Sequence, residues 1–208
     1  METGDNIKIN CPESALLDNA VMKIGDNTSV NAAKAIVIHQ KGSVNIGNDC
    51  HYNFYWLLVC GNAILNIGSC GTGADNIHIN IPPGTEIHIG RDCMFAHNIS
   101  LLSNDGHAVF DVKTKKNISS AEEISKRRKI IIGDHVWIGM NTSILYDTEI
   151  GAGSIIGAGS LVKGVIPNNC IAAGDPARVI RKDIAWSRKY RSDDISDCGE
   201  EYIGLTRD

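Results

Sequence analysis

Ile132-Gly133-Asp134-His135-Val136-Trp137-Ile138-Gly139-Met140-Asn141-Thr142-Ser143-Ile144 opens the stretch that decides the fold, and the pattern runs on through Ile150, Ile156 and Val162. An aliphatic residue stands at every sixth position: Ile132, Ile138, Ile144, Ile150, Ile156, Val162. Gly133, Gly139, Gly151 and Gly157 follow four of them. The place four beyond each aliphatic is small or branched: Val136, Thr142, Thr148, Ser154, Ser160, Ile166. A period of six does not keep the phase of a helical face, which needs about 3.6. A simple two-sided strand carries no glycine mark at every sixth residue. A short strand followed by a tight corner explains both features. The aliphatic points into a coil, glycine permits tight or unusual backbone beside it, and the residue four on points inward where the wall is close. Three such units make one triangular turn of about eighteen residues, and stacked turns bury a continuous core.

Outward from this stretch the pattern loosens. Ile24-Gly25, Ile46-Gly47, Ile67-Gly68 and Ile89-Gly90 are spaced 22, 21 and 22 apart, which reads as turns of the same coil with extra residues at a corner. Cys50 and Cys93 lie four beyond Ile46 and Ile89, as Thr28 does beyond Ile24, so they are expected as buried packing residues. The 43 residues from Ile89 to Ile132 amount to about two turns. Within them 103–128 is polar, contains the turn signal Asn104-Asp105-Gly106 and is expected to project as a loop, the kind of segment that carries function on a rigid scaffold. After Val162 the repeat stops at Pro167-Asn168-Asn169. The segment 183–191 is expected as a short helix capped by Asp183, followed by a mobile polar tail. The organisation is thus a coil over 1–182 and an appendage over 183–208.

Composition agrees with an all-β chain. Of 208 residues 43% are hydrophobic, only 5% are aromatic and 21 are glycine, so the core is built from Ile, Val, Leu and small residues. A net charge of −4 excludes a strong nucleic-acid footprint. Between Lys113 and Lys129, however, seven basic residues face two glutamates. That stretch reads as a solvated loop, with steering of an anionic acceptor as the lesser reading. No apolar run is long enough to span a membrane and an N-terminal secretory signal is missing, so the expected location is the cytoplasm. Seven cysteines, an odd count without CxxC pairs, argue against a disulfide framework or a structural zinc site, and no metal is expected.

The hexads from Ile132 to Val162, with the terminator Gly174-Asp175-Pro176-Ala177-Arg178, resemble the bacterial hexapeptide-repeat acetyltransferases over roughly Cys93 to Trp186. Ser103-Asn104-Asp105-Gly106-His107-Ala108-Val109-Phe110-Asp111 is similar to the loop of the sugar and surface-polysaccharide O-acetyltransferases, those of capsule, lipopolysaccharide and polysialic acid among them. The resemblance implies a left-handed parallel β-helix and a homotrimer with active sites between adjacent prisms. It also implies acetyl-CoA lying along the coils, a histidine base from the loop, and a saccharide hydroxyl as acceptor. His107 is then the general base, since a neutral imidazole that takes the hydroxyl proton during attack on the thioester lowers the barrier. Asp111 would orient that ring or contact the acceptor, or cap the end of the loop. Asp105 reads as a turn residue. His97 is the competing base; it reads as a hydrogen-bonded structural histidine, or lines the acceptor pocket beside Asn98. His135 is expected exposed at a corner, and His39, His51, His78 and His88 have no motif around them.

Trp137 occupies an outward position, where the resemblance places a residue against the pantetheine arm and where packing on another protomer is the plain alternative. Gly139, Ala152, Ala158 and Gly159 supply a smooth wall whose amides suit that arm or an oxyanion. Lys163, Arg178 and Lys182 are candidates for the phosphates, whereas Arg181 reads as ordinary surface charge. The competing functions are N-acetylation of a nucleotide-linked aminosugar or an antibiotic, a metalloenzyme similar to γ-class carbonic anhydrase, which needs three histidine ligands not grouped here, and a non-catalytic coil scaffold.

Overall fold

A computed structural model of the chain describes residues 1–103, 107–119 and 129–207. They form a left-handed parallel β-helix of about seven turns. Its strands pair in parallel from turn to turn, apart from a closing antiparallel hairpin of Ile171–Gly174 with Ala177–Arg181. No helix among the described residues is long and apolar enough to cross a membrane.

The column Ile24, Ile46, Ile67, Ile89, Ile132, Ile150, Ile166 stacks in register, each residue directly over the next. It is buried, as are Ile138, Ile144, Ile156, Val162, Cys50 and Cys93. The hexad reading therefore holds. Turns take 21 or 22 residues up to Ile89, with the extra residues inside the long strands Ser29–Ile38, His51–Val59 and Thr72–Ile81, where the register shifts. The segment from Ile89 to Ile132 corrects the expectation of about two turns. Ile89 pairs directly with Ile132, and Ser100–Leu102 pairs directly with the next turn at Ser143–Leu145, so the 43 residues make one turn carrying an insertion. Stacking is decided by the strands that meet, not by the length of chain between them.

The repeat glycines owe their presence to close approach. A Cβ on Gly133 would lie 2.6 Å from the backbone nitrogen of Ala152, and one on Gly90 would lie 2.6 Å from that of Asp134. The left-handed backbone that turns this corner sits two residues later, at Asn27, Asp49, Cys70, Asp92 and His135, all with φ between 52° and 64°. Asn and Asp accept that conformation more readily than most residues. The small inward position is also more than small. Thr28 Oγ1 donates to Gly47 O at 2.8 Å, Cys50 Sγ to Gly68 O at 3.2 Å, and Cys93 Sγ to Gly133 O at 3.2 Å. These side chains satisfy corner carbonyls that turn toward the dry interior. Burial pushes the Cys93 thiol up to about 12, so it serves as a weak donor and not as a nucleophile.

Tyr52 fills the space that Gly71 and Gly73 leave open, since a Cβ on Gly71 would lie 2.2 Å from its hydroxyl. That hydroxyl is buried with no hydrogen-bond partner among the described residues, and burial pushes its pKa well above the ordinary phenol range. Removing an unpartnered buried hydroxyl relieves its desolvation cost. Tyr52→Phe is expected to leave stability unchanged or to raise it by up to about 1 kcal/mol in denaturant titration. A loss larger than that would show that the hydroxyl has a partner.

The C-terminal segment departs from expectation. Residues 183–191 are not helical; short 3-10 turns occur instead at Ile195–Cys198 and Glu200–Tyr202. Nor is the tail free. Asn169 Nδ2 donates to Tyr202 O at 2.7 Å and to Ile184 O at 3.1 Å, and the amides of Asp183 and Thr206 donate to each other's side chains at 2.8 Å. The Asn169 side chain thus holds the tail's main chain against the end of the coil.

Candidate active site

Strand alternation sets the site. Val136 and Ile138 point inward, so Trp137 between them points out and is 38% exposed. Register then places Met94, Thr72 and His51 beneath it in one outward column. Together with Asn53, Gly73, Ala74, Ala96 and His97 they line a groove of about 450 Å³. Small residues make its floor, and Trp137 with Met94 makes its apolar flank. His51 Nδ1 is held 2.9 Å from Ser29 Oγ. The ring of His97 is exposed and has no hydrogen-bond partner among the described residues, so it is not the hydrogen-bonded structural histidine of the sequence reading.

Other candidates fall around this groove. Two residues along, a neighbouring outward column runs from Ala96 through Gly139 and Gly157 to Ala173, which pairs with Arg178. Ala158 and Gly159 form the adjoining corner, whereas Ala152 lies at the opposite edge of the face, with Asp134 and Asn168. The expected smooth wall is therefore divided between two corners. The amides of Gly139 and Gly159 donate to Ile156 O and Met140 O at 2.8 Å; that of Ala158 has no partner among the described residues. Asn98 has φ 60° and belongs to a corner ladder: it accepts from Asn76 Nδ2 at 3.1 Å and donates to Asn141 Oδ1 at 3.0 Å. Both of its amide atoms are thus engaged in stacking. Lys163 Nζ lies 4.0 Å over the ring of Tyr146, away from the groove. Arg178 Nη1 donates to the carbonyl of Ala177 at 2.8 Å. Lys182 and Arg181 are exposed near the end of the coil.

His107 and Asp111 lie on the projecting loop and do not line the groove of this protomer. His107 is exposed, and its carbonyl accepts from Ser119 Oγ at 3.2 Å. Asp111 Oδ1 accepts from the amide of Thr114 at 2.6 Å and from its hydroxyl at 2.8 Å, bonds that hold its carboxyl below the ordinary range. It caps the turn of a small hairpin in which Phe110 bridges Asn117. That hairpin exposes Val109, Phe110, Val112 and Ile118. Asp105 and the basic residues Lys126, Arg127 and Arg128 lie outside the described residues; Lys113, Lys115 and Lys116 are exposed, and Lys129 pairs with Glu86 at 2.8 Å.

Two features escaped the sequence reading. His51, Thr72 and Met94 join Trp137 through the 21-, 22- and 43-residue offsets, a signal already present in the glycine spacing. His135 is 3% exposed, which corrects its expected place on an open corner. The chain's own C-terminal segment covers it, with Trp186 stacked on the ring at 3.9 Å.

Residues 129–164 match the bacterial transferase hexapeptide (six repeats) family. Over 193 residues the chain is 31% identical to a polysialic acid O-acetyltransferase of Neisseria meningitidis, covering 82% of this chain and 87% of that protein. This chain belongs to the hexapeptide-repeat acetyltransferases. Within that family it is also 42% identical, over 58% of its own length, to a polysialic acid O-acetyltransferase of Escherichia coli O1:K1, of which the match spans 38%. The crystal structure of the polysialic acid O-acetyltransferase OatWY superimposes with a TM-score of 0.75 at 24% identity, over 97% of this chain and 99% of that one, which shows a shared fold. The parallel coil is thus the fold of an acetyltransferase.

Proposed function

We propose that the protein moves the acetyl group of acetyl-CoA to a hydroxyl of a sugar in a bacterial surface polysaccharide, working as a homotrimer with its sites between protomers. The observation that carries this reading is Trp137, exposed beside a groove with a small-residue floor, on a coil whose extended match is a polysialic acid O-acetyltransferase. A flat apolar ring beside small residues suits the pantetheine arm of the donor. The column Gly139, Gly157, Ala173 continues the path toward Arg178, which with Lys182 supplies cations for the phosphates. The open N–H of Ala158 is the donor assigned to the arm or to the tetrahedral oxyanion.

His107 supplies the base. In the trimer the hairpin reaches the groove of a neighbouring prism, and its apolar residues Val109, Phe110, Val112 and Ile118 are covered there. The neutral imidazole takes the acceptor hydroxyl proton as that oxygen bonds to the acetyl carbon. The tetrahedral adduct then collapses, the carbon–sulfur bond breaks, and the imidazolium returns the proton to the departing thiolate. Asp111 keeps the hairpin folded beneath His107. His97 faces the acceptor from the groove, beside the corner held by Asn98.

The test is incubation with acetyl-CoA and a panel of polysaccharides, small glycosides, aminosugars and an antibiotic, read by mass spectrometry of the products. Acetyl gain on a saccharide hydroxyl is the expected result. Transfer only to an amine would replace the acceptor class, and neither transfer nor acetyl-CoA binding would overturn the reading.

A further inference from the structure

The tail that covers His135 does so beside the groove. The His135 ring lies between two aromatic rings, Trp186 at 3.9 Å and Tyr202 at 4.3 Å, both nearly parallel to it. Its Nδ1 is 2.6 Å from Asp92 Oδ2 and its Nε2 is 2.9 Å from the carbonyl of Trp186. Each ring nitrogen therefore faces an acceptor, a carboxylate on one side and a carbonyl on the other. In return the Trp186 indole N–H donates to the carbonyl of His135 at 2.9 Å.

Two contacts carry this latch into the groove. Trp186 meets Trp137 with ring centres 5.9 Å apart. Arg188 pairs with Asp92, donates from Nη2 to Cys93 O at 2.8 Å, and donates from Nη1 to Thr72 Oγ1 at 3.0 Å. Trp137 and Thr72 both line the groove. An outward tryptophan on a β wall is free to change rotamer unless something braces it, and the brace here comes from the far end of the chain.

We propose that the C-terminal strap completes the donor-binding face: Trp186 and Arg188 are positioning residues that fix the Trp137 ring and the Thr72 hydroxyl for the acyl donor. This inference rests on the acetyl-transfer reading. It makes no demand on the acceptor, which that reading places at His97 and the hairpin; Trp186 and Arg188 do not line the groove themselves. Loss of the brace weakens donor binding and leaves acceptor binding alone, because a small misplacement of a positioning group costs binding or rate steeply.

The experiment compares the full chain with Arg188→Ala, Trp186→Ala and the conservative Trp186→Phe. Steady-state kinetics are run against acetyl-CoA and against the best acceptor of the panel, with calorimetric titration of CoA and near-ultraviolet circular dichroism alongside. Arg188→Ala and Trp186→Ala are expected to raise KM for acetyl-CoA and Kd for CoA by about tenfold or more, with KM for the acceptor unchanged. Trp186→Phe is expected to recover most of that loss. Loss of the Trp137–Trp186 pair should also alter the near-ultraviolet spectrum. Trp186→Ala removes a buried side chain, so Arg188→Ala decides the matter if that variant does not fold. Unchanged KM and Kd for the donor in folded Arg188→Ala, with only a lowered melting temperature, would overturn the inference and leave the strap a structural clamp. If the wild-type chain neither binds CoA nor transfers acetyl, the donor reading itself fails, and this inference with it.

Discussion

His107→Ala is expected to lower kcat for acetyl transfer by about 10²- to 10⁴-fold, the span that a positioned general base contributes. The melting temperature should not move. His107 is exposed, its ring has no partner among the described residues, and the one bond it makes in the hairpin runs through its carbonyl, which alanine keeps. KM for acetyl-CoA should change little, since the proposed mechanism lays the donor on the coil wall and not on the loop. The decisive comparison is His97→Ala. His97 lines the groove with Trp137, so its loss is expected to act on acceptor KM more than on kcat. If the large kcat loss follows His97→Ala and His107→Ala stays active, the base is the groove histidine and the projecting hairpin is only a trimer contact.

The second large effect concerns two glycines at different places in the repeat, Gly133 directly after the aliphatic Ile132 and Gly159 three residues after Ile156. Gly133→Ala places a methyl 2.6 Å from Ala152 N and 3.0 Å from Ala152 Cα, atoms of the next turn's backbone that cannot rotate away. The turns must part, which strains the 2.8 Å bond from Gly133 N to Ile150 O. Overpacking costs about 1–3 kcal/mol, and a clash with backbone that cannot turn aside falls at the upper end, about 3 kcal/mol. Gly159→Ala meets nothing within 4 Å but must hold φ near +72°; that costs about 1–2 kcal/mol. In a chain of this size the first is expected to lower Tm by roughly 6–12 °C and the second by roughly 2–8 °C. Differential scanning calorimetry of the two variants checks the order. A Gly159→Ala variant less stable than Gly133→Ala would mean that backbone conformation, not the closeness of the turns, is what glycine supplies in the repeat.

That distinction shows where reading the chain in one dimension stops. Six-residue spacing from Ile132 to Val162 was enough for the coil, its inward columns and the outward place of Trp137, because strand alternation and stacking repeat the same local geometry. It also marked the buried places of Cys50 and Cys93, although their donation to Gly68 O and Gly133 O follows only from which carbonyls turn inward. The looser 21- and 22-residue spacing carried the groove in latent form: His51, Thr72 and Met94 are neighbours of Trp137 by register alone. The interval from Ile89 to Ile132 misled because chain length was counted where strand pairing decides.

Tertiary structure alone decided the fate of His135, Asn98 and the tail. A variable hexad position at a corner is ordinarily solvent-facing, and nothing local signals that Trp186, 51 residues later, stacks on it. Arg188 reaches Thr72 across 116 residues for the same reason. Local rules set what repeats, since each turn meets the next through the same few atoms. The strap is used once, and its place depends on a single matching of carboxylate, imidazole, indole and guanidinium that appears only when the chain is folded.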